Sequence, residues 1–150
     1  MAKNKGFSLN FDGFLDYARE VDELGEGLLK EAVTNALTKS KDYVNEEISK
    51  AMTASKYHFD GTSYSKGKAR KSLERVAKMP VEWNGTTAKA YIGPDLSDAI
   101  EFQFIIYGSP HTPKDTKLYN AAKVKGNIRK QVDEIQKEEF NKVIKEALND

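Results

Sequence analysis

The chain has no cysteine and only two histidines, His58 and His111. Without cysteine there are no disulfides, no thiolate zinc ligands and no thiol nucleophile. The two histidines do not stand at the i, i+4 spacing that would place both on one helix face, and no HExxH pattern is present, so no zinc site is spelled out. No apolar run approaches the roughly 20 residues needed to span a bilayer. The opening MAKNKGFSLNFDG lacks the apolar core of a secretory signal, so the expectation is a protein made and kept in a cytosol. An excess of one charge sign is missing as well. Lys and Arg total 24, Asp and Glu 23, for a net charge of +1, so no global field draws the chain to nucleic acid or membrane.

What is there suits one domain, residues 1–150, with a real core. Apolar residues make up 39% and charged residues 31%, a polar balance that fits long helices or large loops. The near-neutral total hides blocks. Residues 10–50 hold ten acids and five bases, a net of −5, and residues 54–78 hold seven bases and two acids, a net of +5. Two opposite faces of this kind suit head-to-tail contact between copies.

Periodicity sketches the elements. Residues 1–11 read as a flexible arm. Asp12 reads as an N-cap for a helix over about 13–52, with Phe14, Tyr17, Val21, Leu24, Leu28, Ala32, Ala36, Val44, Ile48 and Met52 on one stripe. Gly25 and Gly27 each cost roughly 1 kcal/mol against alanine in a helix, so a kink or break is expected there. Residues 54–71 have no periodicity and read as a long mobile loop, with a short helix near 69–77. Residues 80–83 and 86–92 read as strands joined through Asn84-Gly85, the strongest short hairpin signal. Residues 99–107 alternate Ile100, Phe102, Phe104 and Ile106, which predicts a third strand. A short helix or turn at 116–123 and a final helix over 128–148 complete an α+β fold. A long N-terminal helix and a C-terminal helix pack on a three- to four-stranded antiparallel sheet.

Catalytic motifs fail on inspection. Gly61 to Gly67-Lys68-Ala69 has five residues between the glycines where a phosphate loop has four, and alanine where a hydroxyl must hold magnesium. Gly25-Glu26-Gly27 lacks the third glycine of a dinucleotide fingerprint. Ser109, His111 and Asp115 share a loop, but no nucleophile elbow or oxyanion-hole signature accompanies them. No catalytic residue, metal site or cofactor is therefore assigned. The basic loop carries more: Lys56, Tyr57, Lys66, Lys68, Arg70 and Lys71 interleave cations with rings. That combination serves single-stranded nucleic acid or a neighbouring subunit.

The order of short motifs resembles the head–tail joining family of long-tailed bacteriophages, also called neck, tail-completion or minor-capsid proteins. The residues that carry it are Phe11-Asp12-Gly13-Phe14 before a long helix, Lys68-Ala69-Arg70-Lys71-Ser72-Leu73, Ala90-Tyr91-Ile92-Gly93-Pro94, Tyr107-Gly108-Ser109, and the Leu118–Ala121 pair before a C-terminal helix. The chain departs from the family where a glutamate usually precedes Tyr107-Gly108-Ser109, since Ile106 stands there. It departs again at residues 116–121, where the proline and phenylalanine of the family segment are absent.

The resemblance implies a non-enzymatic virion assembly protein that forms a ring at the neck. Its partners would be other copies of itself, head-completion or connector proteins, tail-tube or tail-terminator proteins, and the transiting DNA. It would reside in the host cytoplasm and then in the virion. In that reading residues 54–71 face a neighbour or the DNA, and Tyr107, Gly108, Ser109 and His111 form a docking loop. The alternative is a nucleic-acid-binding protein that uses residues 54–78.

Overall fold

A computed structural model describes residues 7–10, 26–55, 68–84, 87–97, 99–111 and 113–148. The expectations for residues 13–25, the Gly25 end of the suspected break and most of the long loop fall outside them. Eight elements are described: β1 (Phe7–Asn10), α1 (Glu26–Ala54), α2 (Lys68–Ala77), β2 (Glu82–Asn84), β3 (Thr87–Ile92), α3 (Glu101–Tyr107), α4 (Thr116–Ala122) and α5 (Asn127–Leu148). The fold is α+β, with a three-stranded antiparallel sheet ordered β1-β3-β2.

Helix α1 is the axis of the molecule, about 43 Å long at 1.5 Å per residue. Its inward stripe follows helical spacing: Ala32, Val33, Ala36, Leu37, Val44, Ile48 and Met52 are each at most 1% exposed. Helix α5 lies along α1 and buries Val132, Phe140 and Val143. Covering one such side chain contributes about 1.5–3 kcal/mol. Polar pins fix the register between elements. Lys39 pairs with the buried Glu139 of α5. Lys41 reaches past α2 and donates to the Met79 carbonyl at 2.9 Å. The Trp83 indole donates to Thr34 Oγ1 at 3.1 Å.

The hairpin forms where the sequence placed it, with Trp83 opposite Ala88 and Asn84 opposite Thr87. Ala88, Ala90 and Ile92 point into the core together, as period-two alternation requires. Beside them, a hydrogen bond to the Glu82 carboxylate, helped by burial, holds the Tyr91 phenol above its ordinary pKa.

The third strand is not the one expected. Residues 7–10, read as part of a flexible arm, form β1 and pair with β3, Phe7 opposite Ile92 and Leu9 opposite Ala90. Phe7 and Leu9 are buried between the sheet and α1, which gives this short segment the apolar anchor an arm would lack. Residues 99–107, read as a strand, form a turn that leads into α3. The physical reason lies in a second period. Ala99, Phe102, Ile105 and Ile106 are all fully buried, which is helical i, i+3, i+6, i+7 spacing rather than alternation. Phe102 meets Phe7 edge-on, with ring centroids 6.1 Å apart, so the mispredicted strand packs against the real one.

Both ends of the loop expected over 54–71 are helical, and residues 56–67 lie outside the described residues. Ala54 still belongs to α1, and α2 already begins at Lys68. Helix α2 is strongly two-sided, burying Ala69, Ser72, Leu73 and Val76. Gly93 follows β3 where α2 crosses it. A Cβ there would meet Leu73 Cα at 3.1 Å and Val76 Cβ at 3.2 Å, so this glycine allows the close approach of helix and strand. Its N–H donates to Asn45 Oδ1 of α1 at 3.0 Å. The Ile92-Gly93 pair is thus a packing joint.

Candidate docking surface

Helix α3 has two unlike faces. Its inner side is closed by Phe102, Ile105 and Ile106, while Ile100, Phe104 and Tyr107 are 61%, 52% and 48% exposed. Spaced i, i+4 and i+7 around the first turn and the helix, these three line up on one stripe. Large apolar side chains left in water in a row are a common mark of an interaction surface.

Gly108 ends the helix. Its φ of 81° lies where only glycine is unstrained, and its N–H closes the last turn on the Phe104 carbonyl at 2.8 Å. Added bulk would meet Lys114 Cβ at 3.2 Å. Ser109, Pro110 and His111 then project as an exposed loop. The structure therefore brings the expected docking residues Tyr107, Gly108, Ser109 and His111 together at one end of the apolar stripe.

Asp115 closes that loop and is wholly engaged. One carboxylate oxygen accepts from the Leu118 N–H at 3.2 Å and caps α4. The other accepts from Ser55 Oγ at 2.7 Å and ties the loop to the end of α1.

The second set of site residues divides. Lys56, Tyr57 and Lys66 lie outside the described residues. Lys68 and Lys71 are exposed on α2, but Arg70 turns inward. Its guanidinium donates to Ser49 Oγ at 3.0 Å and to Thr53 Oγ1 at 3.2 Å, fastening α2 to α1. Arg75 pairs at 2.6 Å with Asp95, whose side chain is 1% exposed and also accepts from Ser97 N and Oγ. An open cleft of about 500 Å³ runs along Lys68, Lys71, Ser72, Arg75 and Ser97. Among its described residues the basic segment is thus half structural: the arginines hold the fold and the lysines face outward. Lys68, Arg70 and Lys71 stand on a helix rather than in the expected loop.

Sequence reading passed over a second basic block. Residues 113–131 contain six bases, Lys114, Lys117, Lys123, Lys125, Arg129 and Lys130, against the single acid Asp115, a net of +5. The signal was available by counting charge in that window. Which residues it would sit beside was not. The fold sets these lysines against two rings. Tyr107 and Tyr119 meet edge to face, with centroids 5.9 Å apart. Lys114 Nζ stands 3.7 Å from the Tyr119 centroid and Lys125 Nζ 5.6 Å, while Lys123 Nζ stands 5.8 Å from that of Tyr107. Between the last two lysines, Val124 is buried at a φ of 54°. That backbone conformation is rare for a β-branched residue, and it sits where the chain sends Lys123 to one ring and Lys125 to the other.

Among the described residues, no helix is long and apolar enough to cross a membrane. No family model, curated protein or solved structure matches this chain.

Proposed function

We propose that this protein is a structural assembly component of a tailed-phage virion that joins or completes the head–tail interface as part of a ring through which DNA passes. The observation that carries the proposal is the exposed Ile100–Phe104–Tyr107 stripe and the docking loop that continues it. A stripe of this kind fits a binding role. The order of short motifs along the chain supplies the phage assignment. The charge blocks supply the ring. A closed ring needs two different faces on each copy. The exposed lysines of α2 repel a like face and attract an acidic one, which favours head-to-tail contact.

In this reading the α3 stripe and residues 107–111 dock on a connector or tail protein, and the exposed lysines of α2 face a neighbouring copy. The paired change Ile100→Glu with Phe104→Glu tests it. Both side chains are more than half exposed, so the purified variant should melt like the parent. Heads and tails made with it should accumulate unjoined. Normal infectious particles from that variant would reject the proposal. Charge reversal at Lys68 and Lys71 should also block joining. Arg70 is unsuited to such a test, because its loss would loosen α2 from α1.

A further inference from the structure

We propose that the α3–α4 face, built on Tyr107, Tyr119 and the lysines around them, binds single-stranded nucleic acid. This face needs no phage assignment, and it shares only Tyr107 with the proposed docking stripe.

Three observations converge on the face. The first is charge: Lys114, Lys117, Lys123 and Lys125 are all exposed, against the single acid Asp115, while Arg129 at the far end of the block is paired with Asp133 at 3.3 Å. The second is the pairing of cation and ring. Three ammonium groups stand 3.7–5.8 Å from the centroids of two tyrosines, and Tyr107 is 48% exposed. A strand of nucleic acid presents phosphates and base faces in alternation. Each lysine can move from its ring to a phosphate while the ring it leaves takes a base. Stacking of this type is worth about 1–3 kcal/mol per base, and it tolerates any base because every base has a π face.

The third observation is a hollow beside the rings. A cavity of about 420 Å³, open to solvent, lies between α1, α4 and α5. Lys117, Lys125, Asn120 and Asn127 line it, so Lys125 belongs both to the hollow and to Tyr119. The one acid on its wall, Glu47, lies 3.7 Å from Lys50, which it shares with Glu46 at 3.6 Å. Side-chain amides can pair with the edge of an unstacked base, which is how proteins read single strands. The hollow therefore suits one splayed base, next to a ring that stacks its neighbour.

An acidic protein segment is the competing occupant. Lysine is depleted at the desolvated centres of protein interfaces, because a compact ammonium is expensive to strip of water. Here three of them stand over the rings themselves. A nucleic-acid strand leaves those ammonium groups wet, at phosphates.

The test is fluorescence anisotropy with a labelled oligothymidylate of about 15 nucleotides, a duplex of the same length and polyglutamate, each titrated with the full chain. Binding to the oligothymidylate should weaken roughly 50-fold between about 50 and about 200 mM salt, as contact with four phosphates implies. Tyr107→Ala should weaken it roughly tenfold, and Tyr107→Phe should not. Lys123→Gln with Lys125→Gln should lower the logarithmic salt slope by about 1.4. Lys68→Gln with Lys71→Gln should leave binding unchanged. Each altered side chain lies on the surface, and superimposable circular-dichroism melts would show that the variants fold. The proposal is overturned by no binding at low salt, by equal affinity for the duplex, or by indifference to Tyr107→Ala. Loss of binding on changing Lys68 and Lys71 would also overturn it, by moving the site to α2. Tighter binding of polyglutamate would do so too, by assigning the face to an acidic protein.

Discussion

Two segments of this chain carry the same net charge of +5, residues 54–78 and residues 113–131, yet the fold uses them differently. On α2 the arginines are spent inside. Arg70 is tied to Ser49 and Thr53, and Arg75 to the buried Asp95. On the α3–α4 face the lysines stay outside and stand against tyrosine rings. Equal charge counts therefore do not mean equal binding surfaces. What separates the segments is whether the fold gives each cation an internal acceptor. A guanidinium, with five donors in a planar fork, is easily recruited to such acceptors, whereas a flexible, strongly hydrated ammonium tends to remain in solvent.

The comparison can be broken most sharply across α3 itself. Phe102→Ala empties a fully buried site and should cost about 3–5 kcal/mol of unfolding free energy in urea titration. Phe104→Ala, two residues along and half exposed, should change stability by no more than about 0.5 kcal/mol. Equal losses would mean that the stripe is part of the core, and the docking surface would disappear with it.

A medium effect is expected at α2. Arg75→Ala leaves the Asp95 carboxylate buried without its cation. Because the arginine is itself 40% exposed, the cost should be about 2 kcal/mol, below that of a fully buried pair. Lys71→Ala should be neutral within about 0.5 kcal/mol. Thermal melts that ranked these two the other way would erase the division between structural arginines and surface lysines.

The smallest effect concerns the joint between the exposed 108–111 loop and α4. Asp115→Ala removes both the cap on Leu118 N and the link to Ser55, and should cost about 1 kcal/mol. Asp115→Asn keeps an acceptor for the cap and should recover most of it. A full loss of stability in both variants would show that the charge, not the hydrogen bonds, holds the loop.

Much of the architecture was legible because it rests on local period. The 3.6-residue stripe of Ala32, Ala36, Val44, Ile48 and Met52 and the Asn84-Gly85 signal appear as helix α1 and the hairpin. The segment 99–107 misled because it satisfies two periods at once. Phe102 and Ile106 belong to both and are buried either way. Only the flanking residues discriminate, with Ile105 inside and Phe104 outside. Short apolar runs rich in aromatic and β-branched residues are open to this ambiguity. Strand β1 was illegible for a different reason: its partner lies 79 to 85 residues away, at Lys89 to Ile92, and no local pattern encodes a pairing across that distance. The exposed loop at 108–111 could be read from the turn chemistry around Gly108, and only the family resemblance marked it for docking. The apolar stripe that leads to that loop could not be read, because it depends on which face of α3 the core takes.

The amino-acid order alone determined the elements with strong local period, the absence of thiol chemistry and the presence of opposed charge blocks. Each of these depends on residues near one another in the chain. The tertiary structure decided which strand completes the sheet, which face of α3 meets water, and which cations keep their charge free for a partner. Those outcomes depend on competition between distant groups. Phe7 and Phe102 fill one core, Asp95 and Ser49 capture arginines of α2, and Lys123 of the turn after α4 meets Tyr107 at the end of α3.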